Sequence, residues 1–589
     1  MISMRAATLW MITLALLSAC DRQPPQPAQP LDETALAVKI AEDFVDGYYR
    51  QFPEEAAESG YQQAPDDRFS TRSPTALNDW YLQIDNWISA LQGIDADSLR
   101  GTTAEIPYRF ALSRLQALRG MRVCQTAAWN VNPTWTGWQS RAVDVFSVQP
   151  VDSEVQRAAA LRRLEDLVRV VKDQRGLLLE GMRNDYRAAN SNVQAVILQM
   201  DALIALPIEE SPYYSPALRS GDAAFAERWR SIYDKRLLPA LRDYRKFLAE
   251  DYVGREAVGV AANPRGRECY ENAIRYWSTL GMSPEDIHRK GLSEMARIQA
   301  EMLQIAQRSF GTSDVSGLLS QLRSDERYTF GSEAEMLDYV RDAVERAARQ
   351  MDAFFGFLPD VALQIVPSPA YEKDSGGGYY SAGSSDGSQP SIYRVGTYNP
   401  RGISKAGVEA TAFHESYPGH HLQNIVALNS PGLHPVQRYV YVSGYSEGWG
   451  LYAERLADEI GLYSSDLDRL GMLSNEAYRA ARLVIDPGLH VMGWSRDEAI
   501  QYMMEHTTEG IDAASGEIDR YIAVPGQATS YLLGSLEIQR LRARAQTALG
   551  TQFDVREFHD RILTHGQVSL PMLRDSINAW IAERQVSSD

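Results

Sequence analysis

The sequence predicts a mainly α-helical protein, and two observations lead to that prediction. Apolar residues recur at intervals of three and four in seven long stretches, as they do on the buried face of an amphipathic helix. The composition, 44% hydrophobic and 23% charged residues, is that of an ordinary globular protein. The helical stretches cover residues 36–49, 153–182, 225–248, 284–309, 333–354, 466–486 and 496–505.

The first 19 residues have the pattern of a bacterial lipoprotein signal peptide. Arg5 gives a positive start, residues 6–16 are apolar but too few to span a bilayer, and a Leu-Ser-Ala-Cys sequence ends at Cys20. We expect cleavage before Cys20, lipidation of its thiol, and a proline-rich linker up to residue 33. Asp21 favours the inner membrane, with the protein facing the periplasm. The alternative is a secreted protein in which this cysteine occurs by chance.

Charge and hydropathy limit the partners. After residue 19 no apolar run is long enough to cross a membrane, so the lipid anchor is the expected membrane contact. The net charge of −18 disfavours nucleic acid and anionic membrane surfaces as partners. Besides Cys20 the chain has only Cys124 and Cys269. An oxidising compartment would allow these two to pair, and two separate buried thiols are the alternative.

One region, residues 362–398, breaks the helical pattern. Three short runs rich in strand-forming residues, 363–366, 376–381 and 391–398, are separated by glycine- and serine-rich loops. We expect a small antiparallel sheet just before the histidine-rich segment described next. An edge strand there would allow an extended peptide to pair with it and to contact Tyr379. The alternative is a structural hairpin.

Three of the nine histidines and a glutamate lie together in residues 414–421, HESYPGHH. Neutral imidazole is a preferred zinc ligand. A Glu beside the first ligand can reach the metal-bound water, whose pKa zinc lowers to roughly 7. The segment therefore predicts a zinc-hydrolase centre in which His414 is a ligand and Glu415 is the general base.

The spacing departs from the common H-E-x-x-H pattern, in which histidines at i and i+4 share one helix face. Here Pro418 occupies the i+4 position, so the helix should kink, bulge or break before His420. On an uninterrupted helix His421 would return to the face of His414, whereas a bulge at the Pro-Gly pair would bring His420 round. The spacing alone leaves this choice open.

A third ligand is expected from residues 443–454, SGYSEGWGLYAE, where small residues allow a helix to approach closely. Glu447 is favoured because glycines near it permit a tight approach. Glu454 lies seven residues further on the same helix face, and would then orient a ligand or form an ion pair.

Together these motifs match a known family. In chain order they are HExxPGH at 414–420, EGW at 447–449, YAE at 452–454, Arg482, DxGxH at 486–490, GW at 493–494, RY at 520–521, PGQA at 525–528, Tyr531, Gly566 and Pro571. They resemble a bacterial family known as domain of unknown function 885, over roughly residues 40–585.

The resemblance implies a zinc metallopeptidase of the large gluzincin-like clan. It also implies a zincin-like, mainly α-helical fold. The uniform helical pattern without strong linkers predicts one body over residues 34–589, in one or two lobes, with the catalytic half from about residue 360. The histidine directly after Pro-Gly recurs in the family, which favours His420 as the second ligand and keeps His421 in reserve. The implied cofactor is one zinc ion per chain, held by His414, His420 and Glu447.

Residues further along the chain are candidates for two roles that neither the metal nor the general base fills, which are oxyanion stabilisation and substrate contact. A tyrosine or histidine near the metal commonly stabilises the oxyanion of hydrolysis, and the candidates are Tyr531, Tyr521 and His490. The resemblance favours Tyr531 and His490. Tyr521 and Gln527 are expected to contact the substrate. For each of these residues, burial with a structural hydrogen bond is the alternative.

Two arginines lie in the same motif set. Arg520 is a candidate clamp for a substrate carboxylate, as an exopeptidase would need. Arg482 could serve in the same way, but is expected to pair with Asp486 or Glu476 on its own helix.

The sequence thus favours zinc-dependent hydrolysis of peptide bonds in short peptides, by a carboxypeptidase, dipeptidase or oligopeptidase. By analogy of fold, a deep cleft in a helical body admits short flexible peptides and excludes folded proteins. Two alternatives stay open. One is an amidase that acts on cell-wall peptides, and the other is a lipoprotein that binds peptides or metal without turnover.

Overall fold

The computed structural model describes residues 32–59, 61, 63–368, 378–383 and 390–586. The expected signal peptide and Cys20 lie outside the described residues. The described chain is mainly α-helical, as predicted, and has one small sheet. None of its helices is both long enough and apolar enough to cross a membrane.

The α-helices of the described chain are α1 (Glu33–Gln51), α2 (Pro53–Ser59), α3 (Pro74–Gln92), α4 (Glu105–Met121), α5 (Trp138–Val148), α6 (Glu154–Arg183), α7 (Asn190–Ala205), α8 (Ser215–Arg219), α9 (Ala223–Ile232), α10 (Leu238–Glu250), α11 (Gly266–Ser278), α12 (Pro284–Ile305), α13 (Val315–Ser324), α14 (Glu333–Ala348), α15 (Val408–Glu415), α16 (His420–Asn429), α17 (Pro435–Tyr439), α18 (Ser443–Glu459), α19 (Asp466–Val491), α20 (Arg496–His506), α21 (Ile511–Ala523), α22 (Ser530–Leu549), α23 (Val555–Leu563) and α24 (Leu570–Val586).

Each of the seven predicted stretches coincides, apart from its ends, with one helix or with two consecutive helices. In α6 the predicted stripe is buried, as Leu164, Leu167 and Val171 show. Ser153 and Gln156 form a capping box that satisfies the first backbone N–H groups of this helix. The periodicity and the caps therefore act together to fix where helices form.

The three predicted strands are β1 (Leu363–Pro367), β2 (Gly378–Ser381) and β3 (Ser391–Val395), arranged in the order β1-β3-β2. β2 pairs with β3 antiparallel, but β1 pairs with β3 in parallel. The expectation of an antiparallel sheet is therefore wrong for β1. Residue patterns mark strands but not their direction, and the chain between β1 and β3 is long enough for a crossover. β2 packs against α15, the helix that carries His414.

Among the described residues, four apolar clusters form the core. Three of them combine residues from before and after residue 360, and the fourth lies within residues 69–252. Helices of the second half therefore share their cores with helices of the first half. Cys124 and Cys269 form a disulfide, which joins the turn after α4 to α11.

Helices α18 and α22 touch through their backbones. A Cβ atom added at Gly448 would lie 2.6 Å from the Cα atom of Gly534, and one added at Gly534 would lie 1.9 Å from the carbonyl oxygen of Gly444. No side chain fits between the two helices at this point. The contact fixes the position of α18, which carries both Glu447 and Glu454.

Gly448→Ala is expected to lower the free energy of unfolding by about 1–3 kcal/mol, because the added methyl group forces two packed helices apart. Thermal unfolding measures the change. Gly516→Ala in α21 is the matched control, since nothing lies within 4 Å of an added Cβ there. The control should be neutral or stabilising by up to about 1 kcal/mol. Equal melting temperatures for the two variants would show that the α18–α22 contact is looser than described.

Candidate metal centre

The helix breaks where the sequence predicts a break. α15 ends at Glu415 and α16 begins at His420. A Cβ atom at Gly419 would lie 1.9 Å from the carbonyl oxygen of His414, so only glycine allows the chain to turn this closely. The carbonyl oxygen of Pro418 accepts a 2.9 Å hydrogen bond from the indole of Trp449, which ties the break to α18.

The break brings His414 and His420 to one point, opposite Glu447. The Nε2 atom of each imidazole lies 3.5 Å from Oε2 of Glu447. The three candidate ligand atoms all lie within 4.8 Å of one another. We call His414, His420 and Glu447 the His–His–Glu cluster.

His421 faces away from this cluster. Its Nε2 atom lies 3.1 Å from the hydroxyl of Tyr417 and 3.2 Å from the carbonyl oxygen of Val361, and its Nδ1 atom lies 3.4 Å from the hydroxyl of Tyr380. The structure therefore brings His420, and not the reserve candidate His421, into the cluster.

Two further side chains orient the cluster. Glu454 accepts a 2.9 Å hydrogen bond from Nδ1–H of His414, which leaves Nε2 of that ring facing Glu447. The hydroxyl of Tyr441 donates a 2.8 Å hydrogen bond to Oε1 of Glu447, which leaves Oε2 for the cluster. Glu454 has the orienting position expected from its spacing. The sequence pattern does not predict this role for Tyr441, because the residue precedes α18 and no spacing rule connects it to the histidines.

Space and charge at the cluster suit a cation. A Cβ atom at Gly450 would lie 2.6 Å from Nε2 of His414, so glycine there makes room for the imidazole. Burial alone would lower the pKa of His414, but hydrogen bonds with Glu447 and Glu454 raise it to about 10. The carboxylates thus favour positive charge at this point. Two imidazole nitrogens and a carboxylate oxygen, with a second carboxylate behind one ring, form a donor set that fits zinc.

Glu415 lies next to the cluster and is held by the sheet. Its Oε2 atom accepts a 3.0 Å hydrogen bond from the backbone N–H of Tyr380 in β2. Burial raises the pKa of Glu415, while the nearby His420 and His414 oppose that rise. Since the N–H of Tyr380 points away from β3, the outer edge of β2 is turned towards Glu415. Tyr379 is 40% exposed and lies on the opposite face of the strand from Tyr380.

Tyr531 lies beside the cluster. Burial raises the pKa of its hydroxyl, and the nearby carboxylate of Glu447 raises it further. The amide of Gln527 approaches the same hydroxyl at 3.4 Å. Of the two oxyanion candidates that the resemblance favours, Tyr531 is the one that interacts electrostatically with a member of the cluster, Glu447.

His490 is not brought to the cluster, and the expectation of a catalytic role is corrected. The ring is fully buried, its Nδ1 accepts a hydrogen bond from the backbone N–H of Val260 at 3.1 Å, and its Nε2 donates to the carbonyl oxygen of Tyr521 at 2.9 Å. Both nitrogens are used to connect chain segments, so the ring is a structural element.

Arg520 and Tyr521, expected to contact the substrate, are buried around Glu517. Arg520 donates to Glu517 at 3.1 and 2.7 Å and also bonds Gln527. The hydroxyl of Tyr521 donates to Glu517 at 2.9 Å and accepts from Arg482 at the same distance. Because these groups already have partners within the protein, the described contacts do not support direct substrate contact by Arg520, Tyr521 or Gln527.

Arg482 pairs with neither predicted acid of its own helix. Its guanidinium lies 3.1 Å from Glu517, because Glu476 is taken by Arg297 and Arg455, while Asp486 accepts from Tyr270 and the backbone of Gly526. The Nη1 atom of Arg482 is buried and has no hydrogen-bond partner among the described residues. The same guanidinium covers the ring of Tyr531 at 4.5 Å.

These features define a class of mainly α-helical protein, in which a proline-interrupted helix and a facing helix bring two imidazoles and a carboxylate together. The chain belongs to the family described as "Bacterial protein of unknown function (DUF885)", whose model matches residues 53–577. None of the curated proteins matches the sequence.

Two solved structures share the fold. A "putative lipoprotein" from Colwellia psychrerythraea is 24% identical, with a TM-score of 0.86, and the match covers 94% of this chain and 99% of that one. A "putative lipoprotein of unknown function" from Shewanella oneidensis is 18% identical, with a TM-score of 0.72, and the match covers 92% of this chain and 99% of that one. At these identities the likeness concerns the fold alone.

Stability is expected to fall as the pH drops from 7 to 5, because several buried histidines are neutral in the folded protein. Burial lowers the pKa of His490 and His559 to about 3 and that of His421 to about 4. An unfolded histidine titrates near 6.5, so below that pH the unfolded state binds more protons. Each such group then costs about 1.4 kcal/mol of stability per pH unit, until its folded pKa is reached.

Thermal unfolding at pH 7, 6 and 5 checks this dependence. His490→Gln, which has no ring to protonate, is expected to start from a lower melting temperature at pH 7 and then to decline less steeply. A decline as steep as that of the wild type would contradict a neutral His490.

Proposed function

We propose that the protein is a zinc-dependent peptidase that hydrolyses short peptides, with Glu415 as general base. The observation that carries the proposal is the convergence of His414 Nε2, His420 Nε2 and Glu447 Oε2 beside the Glu415 carboxylate. When bound, zinc lowers the pKa of a coordinated water to roughly 7 and polarises a carbonyl group.

The proton of the attacking water is then removed by a residue of the chain, Glu415. Glu415 interacts electrostatically with all three members of the cluster and is not itself a candidate ligand. The hydrogen bond from the N–H of Tyr380 fixes the orientation of Glu415. A general base must lie within hydrogen-bond reach of the proton that it removes, and the first candidate ligand, His414, is its neighbour in the chain.

The edge of β2 supports a peptide as substrate. The N–H of Tyr380 on the outer edge of β2 is occupied by Glu415, so that carboxylate lies along this edge. An extended peptide that paired with the remaining backbone groups of the edge would run past Glu415. Main-chain pairing binds peptides with little regard to their side chains. Such pairing would place the scissile bond at the centre and leave side-chain specificity to other contacts.

Tyr531 is the proposed donor to the oxyanion. Its hydroxyl interacts electrostatically with Glu447, and burial together with that carboxylate raises its pKa and keeps it protonated. A preorganised hydroxyl at the point where negative charge develops stabilises the transition state. Arg482, against the Tyr531 ring, would hold that ring in place.

We further propose that the protein is a lipoprotein of the cell envelope that faces the periplasm, with Cys20 as the lipidated residue. The descriptions of the two proteins of similar fold support this placement. So does the Cys124–Cys269 disulfide, since disulfides persist in oxidising compartments.

We expect the purified protein to bind one zinc ion per chain. Glu454→Gln should weaken binding about 10- to 100-fold, because Nδ1 of His414 loses its carboxylate partner. Competition with a chromogenic chelator measures the affinity. Glu459→Gln is the matched control, since it makes the same change at an exposed residue of the same helix, paired with Arg542. Unaltered affinity in Glu454→Gln would count against the cluster as the metal site.

We expect the folded protein from Asp21 onward to cleave members of a mixed synthetic peptide library, and Glu415→Gln to lose that cleavage while it retains zinc. Mass spectrometry of the products reads the cut sites and separates trimming of ends from internal cleavage. Cleavage of muropeptides but not of linear peptides would replace the peptidase by a cell-wall amidase. Zinc binding without any product would leave a binding protein.

A further inference from the structure

A second recess, away from the His–His–Glu cluster, is lined by arginines. It is a cavity of about 780 Å³ between α4, the turn after it, and α11. Its lining includes Arg114, Arg119, Arg122, Arg265 and Arg275, and a single acid, Glu268. The net charge of the chain is −18, so this cluster of positive charge is opposite in sign to the charge of the whole protein.

Within the described residues, three of these arginines have no carboxylate partner. Glu268 is occupied by Arg265, at 2.6 and 2.9 Å, and Arg122 bonds Asp85 at 2.8 Å. The remaining arginines of the lining form no ion pair within 4.0 Å in the described part of the chain. They are Arg114, Arg119 and Arg275.

Arg114 shows that the positive charge is built into the cavity wall. It is only 7% exposed, and it donates a 2.9 Å hydrogen bond to the carbonyl oxygen of Tyr276. Its guanidinium carbon lies 3.9 Å from the centre of the Tyr276 ring. A buried guanidinium without an anion is unfavourable unless something compensates it. Arg119 and Arg275 are exposed, which leaves them available to a ligand in the cavity.

The cavity is close to the cluster. Val442 lines it and directly precedes α18, five residues before Glu447, which corresponds to about 8 Å along a helix. The residue before it, Tyr441, donates its hydroxyl to Glu447. A short peptide whose backbone lies at the cluster is therefore long enough to place a side chain or an end group in the cavity.

The disulfide connects the two walls. Val123 and Gln125 line the cavity on either side of Cys124, and Glu268 lines it next to Cys269. The cross-link holds α11 against the turn after α4, so the arginines from both elements keep their separation in the absence of a ligand. Such a preformed arrangement reduces the entropy lost on binding.

We infer that this cavity is an anion subsite, which binds carboxylate groups of acidic peptides. The inference rests on the proposed peptidase function for the identity of the ligand as a peptide. Guanidinium groups bind carboxylates through paired, charge-assisted hydrogen bonds, and Gln116, Gln125 and Asn272 in the lining add neutral donors. Glutamate- or aspartate-containing short peptides are then the preferred substrates.

Binding to Glu415→Gln tests the subsite without turnover. The probes are a fluorescent tetrapeptide with two Glu residues and the same peptide with two Gln residues. We expect the Glu peptide to bind at least about 10-fold more tightly, a ratio that corresponds to about 1.4 kcal/mol. The preference should shrink as NaCl is raised from 50 to 500 mM, because salt screens exposed charges.

Adding Arg119→Gln and Arg275→Gln together should remove most of the preference, with the buried Arg114 left in place, and leave the affinity for the Gln peptide unchanged. Arg100→Gln with Arg556→Gln is the matched control, since it removes two exposed arginines elsewhere and the same net charge. Loss of the preference in the control as well would assign it to overall charge and overturn the subsite.

The outcomes separate the subsite from the peptidase. If the Glu peptide binds preferentially but the wild type does not cleave it, the subsite is supported and the proposed peptidase function is contradicted. Equal cleavage of both peptides, unaffected by the two arginine changes, would overturn the subsite and leave the peptidase. A cavity that binds inorganic phosphate but does not distinguish the two peptides would overturn the assignment to acidic peptides.

Discussion

The candidate centre depends on one interruption in the backbone. An unbroken helix would place His414 and His421 on one face and would turn His420 away. Pro418 ends the helical hydrogen bonding, and Gly419 lets the chain pass against the carbonyl oxygen of His414. α16 therefore starts with its first residue opposite Glu447. The indole of Trp449 holds the interruption against α18, so the two histidines and the glutamate are positioned by the same contact.

α18 connects the centre to the rest of the molecule. It carries Glu447, the carboxylate behind His414, and the glycine that makes room for that ring. Its packing against α22 through glycines leaves no freedom to slide, and its N-terminal end borders the arginine-lined cavity. A single helix thus sets the spacing between the proposed site of hydrolysis and the proposed site of side-chain selection.

The sequence predicted the features that depend on local spacing. Periodicity located the helices, and Pro418 located the break. The choice between His420 and His421 could not be made from residue spacing, because the path of the chain after a break is set by its contacts with α18. The direction of β1 was wrong for a similar reason, since pairing partners in a sheet lie far apart in sequence. His490 and Arg482 were misjudged because their partners, Val260 and Glu517, come from other segments.

The shared cores limit how this protein can be rearranged by recombination. Three of the four apolar clusters of the described residues draw on both sides of residue 360, and the disulfide binds two segments 145 residues apart. A gene fragment that encoded only the histidine-bearing half would expose apolar faces of helices that normally cover each other. A gene fusion would therefore have to carry nearly the whole chain to transfer the centre to another protein.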